Sequence, residues 1–172
     1  TSPAETVRAA AAARTPLAIH GSGSKHFLTG IIEGVPLDVT RHRGIVSYEP
    51  TELVITARAG TALAGIEATL AERNQMLGFE PPHFGANATL GGTIACNLSG
   101  PRRPYTGSAR DFILGTRIIN GKGEVLKFGG QVMKNVAGFD VSRLMAGSHG
   151  TLGVLLEISL KVLPKPAHEI TL

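Results

Sequence analysis

Apolar positions follow two periods along this chain. Over 61–77, "TALAGIEATLAERNQML", Leu63, Ile66, Leu70 and Leu77 recur near the spacing of one helical face, which predicts a helix with Thr61 as candidate N-cap. A second helix is predicted over 2–16, "SPAETVRAAAAARTP". Ser2 can cap it, Pro3 suits its first turn, Glu5 completes a capping box, and the alanines propagate until Pro16. Elsewhere the apolar runs are short and bounded by turn residues. "PLAIH", "VPLDVT", "GIVSYEP" and "TELVITARAG" read as strands. "DFILGTRIIN" and "EVLKFGG" flank "NGKG", whose Asn120 and Gly121 favour a tight turn, so these two read as an antiparallel hairpin. "GGTIACN" reads as a short helix opening on its paired glycines, and "DVSRLMAG" as one capped by Asp140 and closed by Gly147. "TLGVLLEISLKVLP" reads as a long apolar strand, and "PRRP" at 101–104 as a solvated loop.

These elements predict one α+β domain, 1–172, in two lobes. A small lobe of mixed helices and strands occupies 1–78; the second, 79–172, begins at the break "FEPPHFG" and rests on antiparallel pairing, which separates it from a doubly wound sheet.

Composition narrows the class. A hydrophobic share of 42% with 17% charged residues is that of a folding chain, and 172 residues suffice for one real core. Seventeen Lys and Arg against thirteen Asp and Glu give +4, but the cations are scattered and aromatics are few, so nucleic acid is not an expected partner. A mild positive field suits an anionic cofactor or an acid substrate. The single Cys96 excludes an internal disulfide, an iron–sulfur set and a zinc set, and no metal is expected. With no apolar stretch of membrane-span length, the expected location is cytoplasmic, peripheral attachment to the inner membrane through a complex being the variant. The start at Thr1 and the end in "HEITL" suggest part of a longer chain.

The chemistry concentrates in glycine-rich loops. In "IHGSGSKHFLTG" an apolar run meets Gly21, Ser22, Gly23, Ser24 and Lys25. The dinucleotide fingerprint fails there, because its third glycine position holds His26 and no helix propagates afterwards; a GxxxxGK[ST] loop is absent as well. What remains is a nest of backbone amides for an anion, or an ordinary glycine-rich turn. Three more stretches, "FGANATLGGTIACNLSG", "PYTGSARD" and "MAGSHGTLG", share its character. Four such loops imply an extended ligand met largely through backbone, a demand that a dinucleotide fits better than a lone phosphate.

In their order, "HGSGSK", "PPHFGANATLGGTIACNLSG", "YTGSARDFILGTRIINGKGEVLKFGG" and "KNVAGFDVSRLMAGSHGTLGVLLEISLKVLP" resemble the FAD-binding domain of the vanillyl-alcohol oxidase and p-cresol methylhydroxylase family, over nearly the whole chain. The resemblance implies the two-lobed fold of that type: a small αβ lobe, and a mixed or antiparallel sheet flanked by helices. It also implies FAD held non-covalently. It puts Gly21, Ser22, Gly23, Ser24 and Lys25 on the pyrophosphate. Thr89, Leu90, Gly91 and Gly92 fall near the ribityl chain and isoalloxazine, with Thr93, Asn97 and Gly100 following in the same loop. Gly107 matches a tyrosine–glycine step in which Thr106 is inserted after Tyr105, and Gly150, Thr151, Gly153 and Val154 match the pyrophosphate and adenine side. His26 is off the place of a covalent flavin link and reads as a loop histidine; His149 receives no role.

Within the family the resemblance is to flavin-dependent oxidases of 2-hydroxy acids, glycolate above all. That implies oxidation of a CH–OH donor, a small hydroxy-acid substrate, and a complex with a second flavin subunit and an iron–sulfur subunit. Catalytic residues are not identifiable, since the family's substrate (cap) domain would begin where this sequence ends. Two alternatives stay open: the flavin domain of a molybdenum hydroxylase, and a flavin subunit serving only electron transfer or structure.

Overall fold

The computed structural model describes residues 2–30, 32–130 and 138–170. Helix α1, Pro3–Ala13, opens on the expected capping box: Glu5 N–H donates to Ser2 Oγ at 3.3 Å and Ser2 N–H to Glu5 Oε2 at 2.7 Å. Two short strands follow, β1, Leu17–His20, and β2, Val35–Asp38, paired in parallel. The segment between them carries the first glycine loop.

The main sheet is antiparallel and five-stranded, in the order β3-β4-β8-β6-β7: β3, Ile45–Glu49; β4, Val54–Arg58; β6, Ile113–Ile119; β7, Val125–Gly129; β8, Val154–Lys161. The predicted hairpin is β6–β7, where Asn120 Oδ1 accepts the Lys122 and Glu124 N–H groups at 2.9 and 3.0 Å.

One face of this sheet meets α2, Leu63–Ala71, and α3, Leu90–Cys96, in a core that includes Leu63, Ile66, Leu70, Phe79, Ile94, Phe112, Ile158 and Leu160. A short helix α5, Val141–Leu144, closes the same face: Ser142 Oγ donates to the Phe128 carbonyl at 3.1 Å, and its Asp140 cap accepts from Arg143 N–H. The opposite face carries a smaller core, Val7, Leu37, Val39, Ile119, Val154 and Leu156, that binds α1 and the β1–β2 pair.

The α+β class and the antiparallel sheet flanked by helices are as expected, but a lobe boundary at residue 78 cuts across the sheet. Strands β3 and β4 precede it, and β4 hydrogen bonds directly to β8. The cause is burial: Val54, Ile55, Thr56 and Ala57 are all buried, so β4 needs cover on both faces and a neighbour on each side. The piece that stands apart from the sheet is α1 with β1–β2.

Three local expectations are corrected. The 61–77 helix stops at Ala71, because Asn74 turns left-handed (φ 52°) and β5, Gln75–Met76, pairs with β9, Leu163–Pro164; Leu77 is buried beyond the helix. Thr61 does not cap α2, since its hydroxyl accepts Gly44 N–H at 2.8 Å and Ala62 holds the N-cap place. "PRRP" leads into a helical turn, α4, Arg103–Thr106, with Arg102 bridged to Glu80 at 2.9 Å and Glu169 at 2.7 Å. The resembling segment at 134–137 lies outside the described residues. Among those described, no helix is long and apolar enough to cross a membrane.

Candidate cofactor cleft

Both parallel strands run their carboxyl ends to one place. Beyond His20 comes the loop Gly21–Lys25, and beyond Asp38 comes Val39; both line an open cleft with an empty volume of about 790 Å³, counted to the solvent at its mouth. Its other wall is α3, with Thr89, Gly91, Gly92, Ala95 and Cys96, and its end is the turn Ser148, His149, Gly150 and Gly153.

The backbone of the first loop is open. Among the described residues, no N–H from Gly21 to Lys25 donates to another group, although Gly21, Gly23 and Ser24 are half-buried and Lys25 is buried. Gly23 holds φ +77°, where a glycine turns a run of amides to one side without strain. A side chain at Gly21 would lie 2.9 Å from Thr89 Oγ1, so the loop rests directly on the start of α3.

The paired glycines of α3 play a different part. The N–H of Leu90 is given to Thr61 O at 2.9 Å, that of Gly91 to Ala59 O at 2.7 Å, and that of Gly92 to the capping hydroxyl of Thr89 at 3.3 Å. These amides are spent within the fold. What the glycines supply is space: a Cβ on Gly91 would stand 2.8 Å from Ala59 Cβ and 3.0 Å from its carbonyl.

Lys25 is 6% exposed, and among the described residues its ammonium meets only neutral acceptors, Ser24 Oγ at 3.2 Å and His83 O at 3.4 Å. Burial lowers its pKa, and burial raises that of the neighbouring Cys96 thiol, against the pull of the Lys25 charge. Cys96 is therefore a neutral thiol at neutral pH, on the cleft wall. No carboxylate lines the cleft among the described residues. Ser148 Oγ is fully enclosed and has no hydrogen-bond partner among them. A buried cation without a counter-ion, an orphaned hydroxyl and a row of free amides all call for an anionic, oxygen-rich ligand.

Of the residues singled out from sequence, Gly21, Ser22, Gly23, Ser24, Lys25, Thr89, Gly91, Gly92, Gly150 and Gly153 come together on this cleft. The other seven sit elsewhere. Leu90 and Val154 belong to the two cores, and Thr93 is fully buried with its hydroxyl on Thr89 O. Asn97 ends α3 in the left-handed region and accepts Arg110 N–H at 3.0 Å. Gly100 packs on the Glu80 backbone, Gly107 ends α4, and Thr151 is an exposed turn residue bonded to Ser148 O. Tyr105 is 90% exposed and away from the cleft.

Sequence reasoning missed His26, Ser148 and His149, along with the apolar lining Ile19, Val39, Ala59, Ala95 and Leu155. One signal was available for two of them. Ligands gather at the carboxyl ends of parallel strands, and Ile19 and Val39 mark those ends here.

A family model described as "FAD binding domain" matches residues 3–129. The chain belongs to the FAD-binding domain family. This FAD-binding domain is 62% identical over 168 residues to glycolate oxidase subunit GlcE of Escherichia coli (strain K12), covering 98% of the chain and 48% of that protein. It is 35% identical to a D-lactate dehydrogenase of Anaerostipes hadrus, with 88% and 32% covered, and 32% identical to glycolate oxidase subunit GlcD of Bacillus subtilis (strain 168), with 92% and 34% covered. The chain thus spans half the length or less of these relatives. A solved structure of alkyldihydroxyacetonephosphate synthase superposes with a TM-score of 0.75 at 22% identity, covering 96% of this chain and 30% of that one; the likeness is one of fold. The cofactor of the family is FAD.

Proposed function

We propose that this FAD-binding domain serves a flavin-dependent oxidase or dehydrogenase of small 2-hydroxy acids, most specifically glycolate, and works within a complex. The observation that carries the cofactor half is the run of amides from Gly21 to Lys25 that, among the described residues, donate to nothing, beside a buried ammonium with no counter-ion there. The relatives support the substrate half: two are by name glycolate oxidase subunits and one a D-lactate dehydrogenase. The word "subunit" in two of those names also supports a multi-subunit assembly; a second flavin subunit and an iron–sulfur subunit are the partners proposed.

Each part of the cleft has a physical task. The amides of Gly21–Ser24 and the hydroxyls of Ser22 and Ser24 would donate to diphosphate oxygens, and Lys25 would balance their charge. Ser148 offers a further donor in a place closed to water. Ile19, Val39, Ala59, Ala95 and Leu155 form an apolar wall for flat ring surface. FAD, when bound, supplies the acceptor for the two electrons of a CH–OH bond. The imidazoles of His26 and His149 and the Lys25 ammonium are the cleft's own titratable donors beside the thiol.

The test is the visible spectrum of the protein with added FAD, before and after unfolding, and then with glycolate in the absence of oxygen. Bound flavin whose bands return to those of free FAD on unfolding is expected, and absence of binding overturns the cofactor reading. Bleaching by glycolate once the partner subunits are added is expected. Bound flavin that never bleaches in the assembled complex leaves an electron-transfer or structural flavin domain instead.

A further inference from the structure

Between the buried residues Pro81 and Ala88, the chain approaches the first glycine loop without forming helix or strand. Among the described residues, no N–H from His83 to Asn87 donates to another group, and Phe84 and Gly85 hold φ of +52° and +126°. A segment with no backbone ladder takes its place from side-chain ties. Two are present. His83 Nε2 lies 3.0 Å from Glu67 Oε2, and the Phe84 ring meets the Phe27 ring edge-on, with centroids 5.0 Å apart.

The two ties differ in what stands behind them. Glu67 is carried by α2, whose Leu63, Ile66 and Leu70 are fully buried in the main core, so its carboxylate comes from a fixed base. Phe27 is 64% exposed and follows Lys25 by two residues, so it moves with the glycine loop. The first tie therefore anchors the segment to the fold, and the second joins it to the loop.

One atom of this segment reaches the cleft's cation. The His83 carbonyl accepts from Lys25 Nζ at 3.4 Å while the His83 imidazole is held by α2; Ser24 Oγ accepts from the same ammonium at 3.2 Å. An ammonium carries three N–H donors on a flexible stem, and two bonds fix the direction of the third. Ser24 precedes Lys25 in the chain and shifts with it. The His83 carbonyl is thus the acceptor that refers the ammonium to the rest of the fold. Neither Glu67 nor His83 lines the cleft. Burial, and against it Cys96, governs the Lys25 pKa, with no part played by Glu67, so the carboxylate does not act on the ammonium by charge.

We propose that Glu67 and His83 are a positioning pair for Lys25, holding the 83–85 segment so that the His83 carbonyl aims the third N–H of the ammonium at an anionic group in the cleft. This rests on the reading that the cleft takes the diphosphate of FAD. As a half-exposed ion pair it adds little to stability. Its effect is on where one cation points. A carboxylate in direct contact with Lys25 would neutralise the charge and compete with the ligand, whereas a main-chain carbonyl holds the ammonium and leaves its charge available.

The experiment is flavin titration of wild type, Glu67→Ala, Glu67→Gln, Lys25→Met and the Glu67→Ala, Lys25→Met double variant, with thermal melting of each to exclude loss of fold. Glu67→Ala should weaken FAD about threefold, the scale that a half-exposed pair can transmit. Glu67→Gln keeps an oxygen acceptor for the imidazole N–H and should recover most of that loss. In the Lys25→Met background, Glu67→Ala should cost no further affinity, because the group through which it acts is gone. A second readout needs no flavin. In the apo protein the side-chain nitrogen resonance of Lys25, assigned by its absence from Lys25→Met, should titrate closer to the ordinary lysine range in Glu67→Ala, since a released ammonium gains water. An equal loss in Glu67→Gln, the same loss with and without Lys25, or an unmoved Lys25 resonance each overturns the pair's role. Wild type that takes up no FAD overturns the cofactor reading instead, and the resonance then decides by itself whether the pair positions Lys25.

Discussion

Two glycine-rich segments of this domain look alike as sequence and act in opposite ways. In Gly21–Ser24 no amide donates to another group among the described residues, and the loop lines the cleft; in Thr89–Gly92 the amides are consumed by Ala59, Thr61 and Thr89, and the glycines exist so that α3 can lie against β4's end. Glycine content alone therefore says that backbone comes close to something. Whether that something is a ligand or the protein itself depends on where the N–H groups go.

The largest effect that tests this contrast is expected at Gly91. A valine there meets Ala59 Cβ at 2.8 Å and the Ala59 carbonyl at 3.0 Å, backbone that cannot step aside as a side-chain tip can. Gly91→Val should cost about 3 kcal/mol of stability, read as a lowered urea midpoint of the apo chain. If the midpoint holds and only FAD affinity drops, Gly91 is a ligand residue and the contrast is wrong at its stronger end.

Gly23 should show the reverse. Its φ of +77° makes an alanine cost about 1 kcal/mol in strain, and the added methyl meets only the exposed His26 ring, at 3.2 Å. Turning the amide run out of line should weaken FAD by about tenfold, equal to about 1.4 kcal/mol, measured by flavin titration. Stability falling as far as in Gly91→Val, with FAD affinity intact in the folded fraction, would make the first loop as structural as the second.

The same contrast explains how far the sequence could be read. The hairpin at Asn120, the Ser2–Glu5 capping box and the Asp140 cap were legible because each is a local hydrogen-bond pattern with few alternatives. The lobe boundary was not, since the pairing of β4 with β8 joins Val54 to Lys161 and leaves no trace in either segment's own periodicity. In the cleft, Gly21–Lys25 could be read because cation, hydroxyls and glycines coincide. Ser148 and His149 could not: they reach the site only because Gly147 and His149 donate to the carbonyls of Ile94 and Ala95, a tertiary staple between distant segments.

The smallest expected effect lies in pH. Burial lowers the Lys25 pKa in the folded apo chain, so just below the ordinary lysine range the unfolded chain holds more protons than the folded one. The Lys25 contribution to apo stability therefore rises with pH through that window, complete above the unfolded value and lost as pH falls through the folded one. Cys96 and Tyr48, whose pKa values burial raises, act in the opposite direction, so the Lys25 part is read as the difference from Lys25→Met. An anion beside the ammonium opposes the depression, so saturating FAD should flatten the rise, and Lys25→Met should abolish it. Urea midpoints across this alkaline window, with and without FAD, measure all three. A rise that survives in Lys25→Met belongs to another group. Equal rises with and without FAD would detach Lys25 from the anionic ligand and leave the free amides of Gly21–Ser24 to hold it alone, narrowing the contrast between the two loops to backbone only.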